Sequence, residues 1–325
     1  MISRTKYRID GAALEKLFRS AGIDGAANIA PLGAGEYNAV FSAKAGGREY
    51  AVKIAPTDGT PILTYERDML ASEVYWYGLM RERTSIPVPE IHHADFSRKL
   101  IPAGFFIMEK LQGRQMDQMD FTRAEKADCT AQLAKMAAQI HRIKNDRFGY
   151  IQNGLYEDWH RAIRAMAQSL MEDAAARGVT PRRGKKLLSL IDKHRETLAK
   201  AECSMVNFDI WPPNIICRRE EGAMIYAWID PERSFWGDRI VDFVCLEMMT
   251  PLAGKKASLD AYNSVADSPV LATGEERIRY AVAQGYLALI MEVEKLYRYT
   301  PFHYGWWRNV AAAAMLYRSA FEALE

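Results

Sequence analysis

"MVNFDIWPPNIIC", residues 205–217, sets an acid, Asp209, and an amide, Asn214, five positions apart in a largely apolar run. Asp209 and Asn214 stand among Val206, Phe208, Ile210, Trp211, Ile215 and Ile216. An ionised carboxylate loses its hydration when it is buried, so an Asp in such company needs a partner or a task. An Asx turn or a loop cap would give Asp209 a purely structural use. The alternative is chemistry in which an acid and an amide act on one ligand from one loop.

Phosphoryl transfer is chemistry of that kind. Catalysis there is mostly positioning and charge neutralisation, with an acid beside the attacking hydroxyl and oxygen ligands that hold magnesium between phosphates. In the protein-kinase pattern an Asp and an Asn five apart supply the base and one metal ligand. Asp209 and Asn214 have that spacing. A second metal-binding acid is then expected from a hairpin shortly downstream, and "MIYAWIDPE" (224–232) offers an apolar strand that ends at Asp230.

Upstream, "PLGAGEYNAVF" (31–41) contains Gly33 and Gly35, which permit close approach of backbone N–H groups to a phosphate. A hairpin turn explains the same pair. Asn38 stands where a third glycine would complete the pattern, and Asn tolerates the left-handed region better than most residues. "REYAVKI" (48–54) puts Lys53 at the end of a strand, as the V-A-I-K lysine is placed to hold the α- and β-phosphates. A solvent-facing lysine on an edge strand looks the same in sequence. A phosphate-binding lysine needs an acid on the following helix. Glu73, in "DMLASEVYWYGLM" (68–80), lies among Leu70, Val74 and Tyr77, and Glu66, seven positions back on roughly the same helical face, is its rival. Each feature is modest alone. Their order is the stronger signal: Gly loop, strand Lys, helix Glu, connecting strand, Asp/Asn loop, hairpin Asp.

The rest of the chain fits that order. Residues 10–22 read as a short amphipathic helix, 27–54 as two or three strands turning at "AGG" (45–47), and 63–81 as a helix. "GFFIMEKL" (104–111) reads as a buried strand. Beyond Gly113 helical spacing dominates (122–144, 157–176, 185–200, 240–324), interrupted by a β-like island at 205–230. The fold class expected is α+β and two-lobed: an N-lobe of residues 1–110 and a mostly helical C-lobe of residues 111–325. Hydrophobic residues make up 49% and charged residues 26%, enough for a core of ordinary globular character. A net charge of +2 gives no indication of nucleic acid as a partner. The four cysteines form no CxxC pair, which argues against a disulfide framework or a zinc site. The first residues lack an apolar signal region, and "YAVAQGYLALIMEV" (280–293) is too short and interrupted to span a bilayer, so no membrane association and a cytoplasmic location are expected.

On these residues the chain resembles the aminoglycoside phosphotransferase and choline kinase family, a branch of the protein-kinase-like fold. The family writes its catalytic loop H-G-D-x-x-x-x-N, and Asn207 through Asn214 matches at Asp209 and Asn214. "IDPERSFWGDRIVDFV" (229–244) is similar to the family's I-D-W/F-E-x-A-x-x-G-D-P-x-x-D-L segment, with Asp230 at its metal ligand and Gly237, Asp238 and Asp242 at later positions of mostly structural role. "FFIMEKLQG" (105–113) resembles the linker whose backbone receives the nucleotide base, which implies contacts at Met108, Glu109 and Lys110. "LAKMAAQIHRIKNDRFGY" (133–150) resembles the helix that ends before the catalytic region, with His141 a buried structural residue. The resemblance implies a small antiparallel-sheet N-lobe, ATP or GTP as co-substrate with Mg²⁺, and transfer of the γ-phosphate to a hydroxyl of a small-molecule acceptor. Lys53, oriented by Glu73, would neutralise phosphate charge. Asn214 and Asp230 would hold metal, and Asp209 would orient the acceptor hydroxyl. Known members act on aminoglycosides, choline, sugars and amino alcohols.

Asn207 replaces the family's usual His. An amide can donate and accept comparable hydrogen bonds, so no reacting group is lost. The loop departures at Asn207 and Asn38 leave a nucleotide-binding pseudokinase as the alternative. A protein kinase is disfavoured, because no Ala-Pro-Glu and no long activation segment follow Asp230. Glu232 is expected to face acceptor or solvent, Trp211 to pack or to border the acceptor, and the aromatic run "YRYTPFHYGWW" (297–307) to pack between helices rather than line a pocket.

Overall fold

The computed structural model describes residues 6–33 and 37–325. Gly35, one of the two glycines expected near phosphate, lies outside the described residues. The chain opens with helix α1 (Gly11–Ser20), capped by Asp10, whose carboxylate accepts from the Ala13 N–H at 2.8 Å. Strands β1 (Ala27–Pro31), β2 (Ala39–Ala45) and β3 (Arg48–Ile54) follow. Gly46 and Gly47 both take positive φ, 55° and 76°, between the paired residues Ala45 and Arg48. That is the two-residue hairpin geometry whose twist matches the flanking strands. Helix α2 (Met69–Arg83) and strands β4 (Ile91–Asp95) and β5 (Phe105–Glu109) complete a five-stranded antiparallel sheet of order β1-β2-β3-β5-β4.

The alternation of β3 decides where Lys53 goes. Successive strand side chains point to opposite faces. Tyr50, Val52 and Ile54 join Leu14, Leu17 and Phe18 of α1 in one apolar cluster, which sends Ala51 and Lys53 to the opposite face, toward α2. Because β3 lies inside the sheet, between β2 and β5, Lys53 is not an edge-strand lysine, and it is only 3% exposed.

The helix expected over 63–81 is broken. A 3-10 turn at Thr64–Glu66 closes on itself through the Leu63 N–H to Glu66 carboxylate bond of 2.9 Å, and Asp68 then takes φ 53° before α2 begins. Glu66 and Glu73 therefore do not share a helical face. Within α2, Glu73, Trp76, Tyr77 and Met80 are all buried, the stripe that i, i+3, i+4, i+7 spacing produces.

The second lobe contains β6 (Arg114–Gln115), α3 (Arg123–His141), α4 (Trp159–Ala176), α5 (Arg182–Lys193) and α6 (Arg195–Ala199). Next come β7 (Cys203–Val206), β8 (Ile215–Glu220), β9 (Ala223–Trp228) and β10 (Phe235–Asp238), then α7 (Asp242–Cys245), α8 (Lys256–Asn263), α9 (Gly274–Arg298) and α10 (Tyr304–Leu324). The β-like island resolves into two small sheets, β10-β7 and β6-β8-β9. The core is continuous from Trp76 and Tyr77 of α2 to Tyr286 and Ile290 of α9. The aromatic run at 297–307 is split: Tyr297 and Tyr299 are buried, whereas Phe302 is 98% exposed and Tyr304 and Trp307 face solvent. Only its first part belongs to the core, because α9 ends at Arg298 and the chain turns outward before α10. The four cysteines are buried and unpaired. Among the described residues no helix is long and apolar enough to cross a membrane.

Gly113 joins β5 to β6 at φ 136°, and a Cβ there would lie 2.6 Å from the Cys217 carbonyl oxygen. Gly113→Ala is expected to destabilise the protein by about 1–3 kcal/mol through backbone strain and this clash, measured as a fall in the urea midpoint.

Candidate active site

Lys53, Glu73 and Asp230 converge. The Lys53 ammonium donates to Glu73 Oε2 at 2.7 Å, to Asp230 Oδ1 at 2.9 Å and to Glu232 Oε2 at 2.8 Å. All three N–H donors of the ammonium are thus engaged by carboxylates. Burial alone would favour the neutral amine, but Asp230, Glu232 and Glu73 outweigh it and hold the Lys53 pKa well above its usual range. Burial pushes the Glu73 carboxyl up against the pull of Lys53. For Glu232 burial also pushes upward, but Lys53 and the arginines Arg233 and Arg298 win and hold it below the ordinary carboxylate range. Glu232, expected to face acceptor or solvent, turns inward onto Lys53 instead of pointing into solvent. It also accepts from Asn38 Nδ2 at 2.9 Å, a bridge from the glycine-containing turn to the second lobe. Asn38 is buried for this contact and does not take the left-handed conformation that its place in the pattern suggested.

Glu66, the rival of Glu73, pairs with Arg298 on α9 instead. Tyr77, one turn along α2 from Glu73, accepts from the backbone N–H of Asp230 at 2.9 Å. That contact holds Asp230 at φ 55°, a left-handed conformation unusual outside glycine and costly unless its surroundings enforce it. Pro231 follows, and the turn Pro231–Arg233 folds Glu232 back onto Lys53.

Asp209 and Asn214 meet within their loop. The Asn214 amide nitrogen donates to Asp209 Oδ2 at 2.8 Å and to the Asp209 carbonyl at 3.2 Å. The β8–β9 hairpin joins this loop to Asp230: Ile215 pairs with Trp228, and the Ile229 N–H donates to the Asn214 carbonyl at 3.0 Å. Burial raises the Asp209 pKa to about 6, with Arg233 opposing the shift and Glu232 adding to it.

The loop is held from below by Asp242. Its carboxylate accepts from the Asn207 N–H at 3.1 Å, from the Phe208 N–H at 2.6 Å, and contacts His141 Nε2 at 2.9 Å. The other His141 ring nitrogen meets the Tyr262 hydroxyl at 2.9 Å, so His141 is fully occupied as a structural residue. Phe208 takes φ 55° as the chain turns over Asp242. The Asn207 side chain accepts from the Asp209 N–H at 3.0 Å. Trp211, expected to pack, is 43% exposed at the loop surface, because Pro212 and Pro213 carry the chain into a 3-10 turn that leaves the indole outside.

Gly33 takes φ 74° just after β1, in backbone that favours glycine. At the linker, the Glu109 N–H donates to Glu90 O at 2.8 Å and the Lys110 N–H to Glu49 O at 3.0 Å. A base that reads this segment is left with carbonyl oxygens and with N–H groups other than these two. Met108 lies within β5, paired with Ala51.

Among the described residues no three His, Cys, Asp or Glu side chains gather as a self-sufficient metal site. The two residues expected to hold a metal offer only oxygen, the Asp230 carboxylate and the Asn214 amide, whose nitrogen is engaged by Asp209, and the backbone bond from the Ile229 N–H to the Asn214 carbonyl links their segments. Magnesium suits such a pair, since it keeps several waters and shares its ligands with substrate phosphates rather than filling an all-protein cage.

A sequence model described as the phosphotransferase enzyme family matches residues 28–276. No curated protein matches the chain by sequence. Among solved structures, a candidate fructosamine-3-kinase from Haemophilus somnus 129PT superposes with TM-score 0.66 at 15% identity, covering 96% of this chain and 97% of that one. A microcompartment-associated aminopropanol kinase superposes with TM-score 0.64 at 15% identity, covering 97% and 99%. The aminoglycoside phosphotransferase APH(4)-Ia, as a thermostable mutant in ternary complex with AMP-PNP and hygromycin B, superposes with TM-score 0.59 at 17% identity, covering 94% and 98%. At these identities the superpositions speak to the fold, which is the two-lobed kinase-like one. The family match spans well over half of the sequence, and the chain belongs to the phosphotransferase enzyme family.

Proposed function

We propose that the protein is a small-molecule kinase that transfers the γ-phosphoryl group of ATP or GTP to a hydroxyl of its acceptor. The observation that carries this reading is the buried Lys53 ammonium surrounded by Glu73, Asp230 and Glu232, one hairpin away from Asp209 and Asn214. A single buried cation facing three acids is costly to assemble without a ligand of high charge to organise. The APH(4)-Ia complex with AMP-PNP and hygromycin B supports a nucleotide and a hydroxyl-bearing acceptor as the two substrates.

In this reading Met108, Glu109 and Lys110 border the base, and Gly33 and Gly35 let the turn lie close over the phosphates. Lys53 exchanges one carboxylate for phosphate oxygen, with Glu73 keeping the ammonium in place. Glu232 is the partner to be displaced, since it reaches Lys53 from the far lobe by way of a turn. Asn214 and Asp230 hold Mg²⁺, which when bound neutralises the charge that develops on the phosphates. Asp209 accepts a hydrogen bond from the acceptor hydroxyl and takes its proton late. Asn207 supplies the scaffold bond on the Asp209 N–H, so its replacement of His does not dismantle the loop. We take the lobes to divide at residues 110/111, and the four buried, unpaired cysteines suit a cytoplasmic protein.

Asp209→Ala is expected to lower kcat by about 10²–10⁴-fold with little change in nucleotide affinity, whereas Asp230→Ala is expected to lose the Mg²⁺-dependent part of that affinity. Steady-state kinetics with calorimetric nucleotide titration separates the two, and an Asp209 variant as fast as wild type would refute the assignment. Because a base must be ionised to work and the Asp209 pKa is raised to about 6, kcat/KM should fall as pH drops through about 6 and level off above it. Lys53→Met should cost about 3–5 kcal/mol of stability by leaving buried carboxylates unpaired, and Glu73→Leu added to it should restore part of that loss in urea denaturation.

A further inference from the structure

We propose that the acceptor is an uncharged, hydroxyl-rich molecule of about one sugar ring, bound in a tyrosine-walled cavity beside the catalytic loop; this rests on the kinase reading above. The cavity has a volume of about 310 Å³ and lies between the turn at 64–66, the segment 150–156, α4 and α9. Thr64, Tyr65, Tyr150, Asn153, Gln168 and Tyr286 are among its walls. It adjoins the reacting loop, because the Tyr286 ring stacks on Phe208, the residue before Asp209, at a centroid distance of 5.8 Å. Its volume stands at the small end of ligand sites, which run from roughly 300 to 1,000 Å³, and matches a single ring better than a multi-ring aminoglycoside.

The charges near the cavity are already matched. Glu66 pairs with Arg298, and Glu294 pairs with Arg233 at 3.0 Å and with Arg298 at 3.6 Å. Asp173 accepts from the Thr64 N–H at 2.8 Å and from its hydroxyl at 2.7 Å. Glu172 is the one carboxylate on the wall, and it sits on the exposed side of α4, accepting from Gln168 at 3.1 Å. Among the described residues on the wall no buried acid is left to draw an ammonium group, and Arg233 and Arg298 are tied to glutamates rather than open to an anion.

The Tyr65, Tyr150 and Tyr286 rings do not form a cage for a cation either. Tyr65 and Tyr150 stack on each other at 5.4 Å with 17° between their planes, and one face of Tyr286 is covered by Phe208. A cation needs an open ring face. What these tyrosines offer instead is hydroxyl groups. Tyr65 is 5% exposed, and its hydroxyl is buried without a hydrogen-bond partner among the described residues. The Tyr286 and Tyr150 hydroxyls meet at 3.4 Å, a long contact that a better partner can replace. A buried hydroxyl left unpaired is costly, and an acceptor bearing several hydroxyls relieves that cost.

The test uses the full chain with MgATP and follows ADP release with four sets of probes. The uncharged set is glycerol, D-ribose, D-fructose and myo-inositol; the polycations are gentamicin and hygromycin B; the amino alcohols are choline and 1-aminopropan-2-ol; the anion is D-glycerate. Release above the acceptor-free rate is expected with a member of the uncharged set and not with the others. With that acceptor, Tyr65→Phe should raise the acceptor KM about tenfold while KM for ATP is unchanged. Its Tm should not fall, because the hydroxyl makes no bond in the free protein. Preferred turnover of a polycation, amino alcohol or anion overturns the inference and leaves the kinase reading standing. Absence of Asp209-dependent ADP release with every probe overturns both. A Tyr65→Phe protein with lower Tm and unchanged acceptor KM makes the residue a packing element and also overturns the inference.

Discussion

One buried ammonium organises this molecule. Lys53 comes from the middle strand of the first lobe, Glu73 from the helix behind it, and Asp230 and Glu232 from a turn of the second lobe. Four charged groups in a poorly hydrated crevice are tolerable only because each carboxylate reaches the same nitrogen at hydrogen-bond distance. The same contacts tie the two lobes together. Asn38 extends the bridge to the turn that follows β1, so the glycine-containing segment and the Pro231–Arg233 turn share one carboxylate. Phosphate binding as proposed would be an exchange of anions around a fixed cation, with Glu232 as the group exchanged.

The loop that carries Asp209 is held by a different device. Asp242 gathers two backbone N–H groups and His141 beneath the loop, while Asn207 holds the Asp209 N–H from within it. Two non-glycine residues with left-handed backbone, Phe208 and Asp230, stand immediately before the proposed base and at the proposed metal ligand. Local strain of this kind persists where surrounding contacts over-determine it, and both residues have such contacts: Asp242 for Phe208 and Tyr77 for Asp230. The raised pKa of Asp209 follows from the same construction, because a loop set against the core removes water from its carboxylate.

Much of this was legible in the sequence. The five-residue spacing of Asp209 and Asn214, the strand ending at Asp230 and the strand lysine with a helix acid downstream are short-range patterns, and the fold they imply is the one observed. Glu232 was not legible, because its direction depends on a positive φ at Asp230 and a proline turn, neither of which periodicity reports. Glu66 rivals Glu73 only if residues 63–81 form one helix; the capping contact from Leu63 and the left-handed Asp68 remove that rivalry. For Trp211 and Phe302 hydrophobicity favours packing, but turns carry both to the surface, and an aromatic residue in a turn has no periodic neighbours to pack it. The ladder of Glu66, Arg298, Glu294 and Arg233 joins residues more than two hundred positions apart, a separation that no local pattern spans.

The central claim is that Lys53 and the acids around it form a triphosphate and metal site. A crystal structure with AMP-PNP and Mg²⁺ tests it most directly. Phosphate oxygen should replace the Glu232 carboxylate on the Lys53 ammonium, and the metal should lie on Asp230 and Asn214. A nucleotide bound elsewhere, with Lys53 still held by all three carboxylates, would contradict the account.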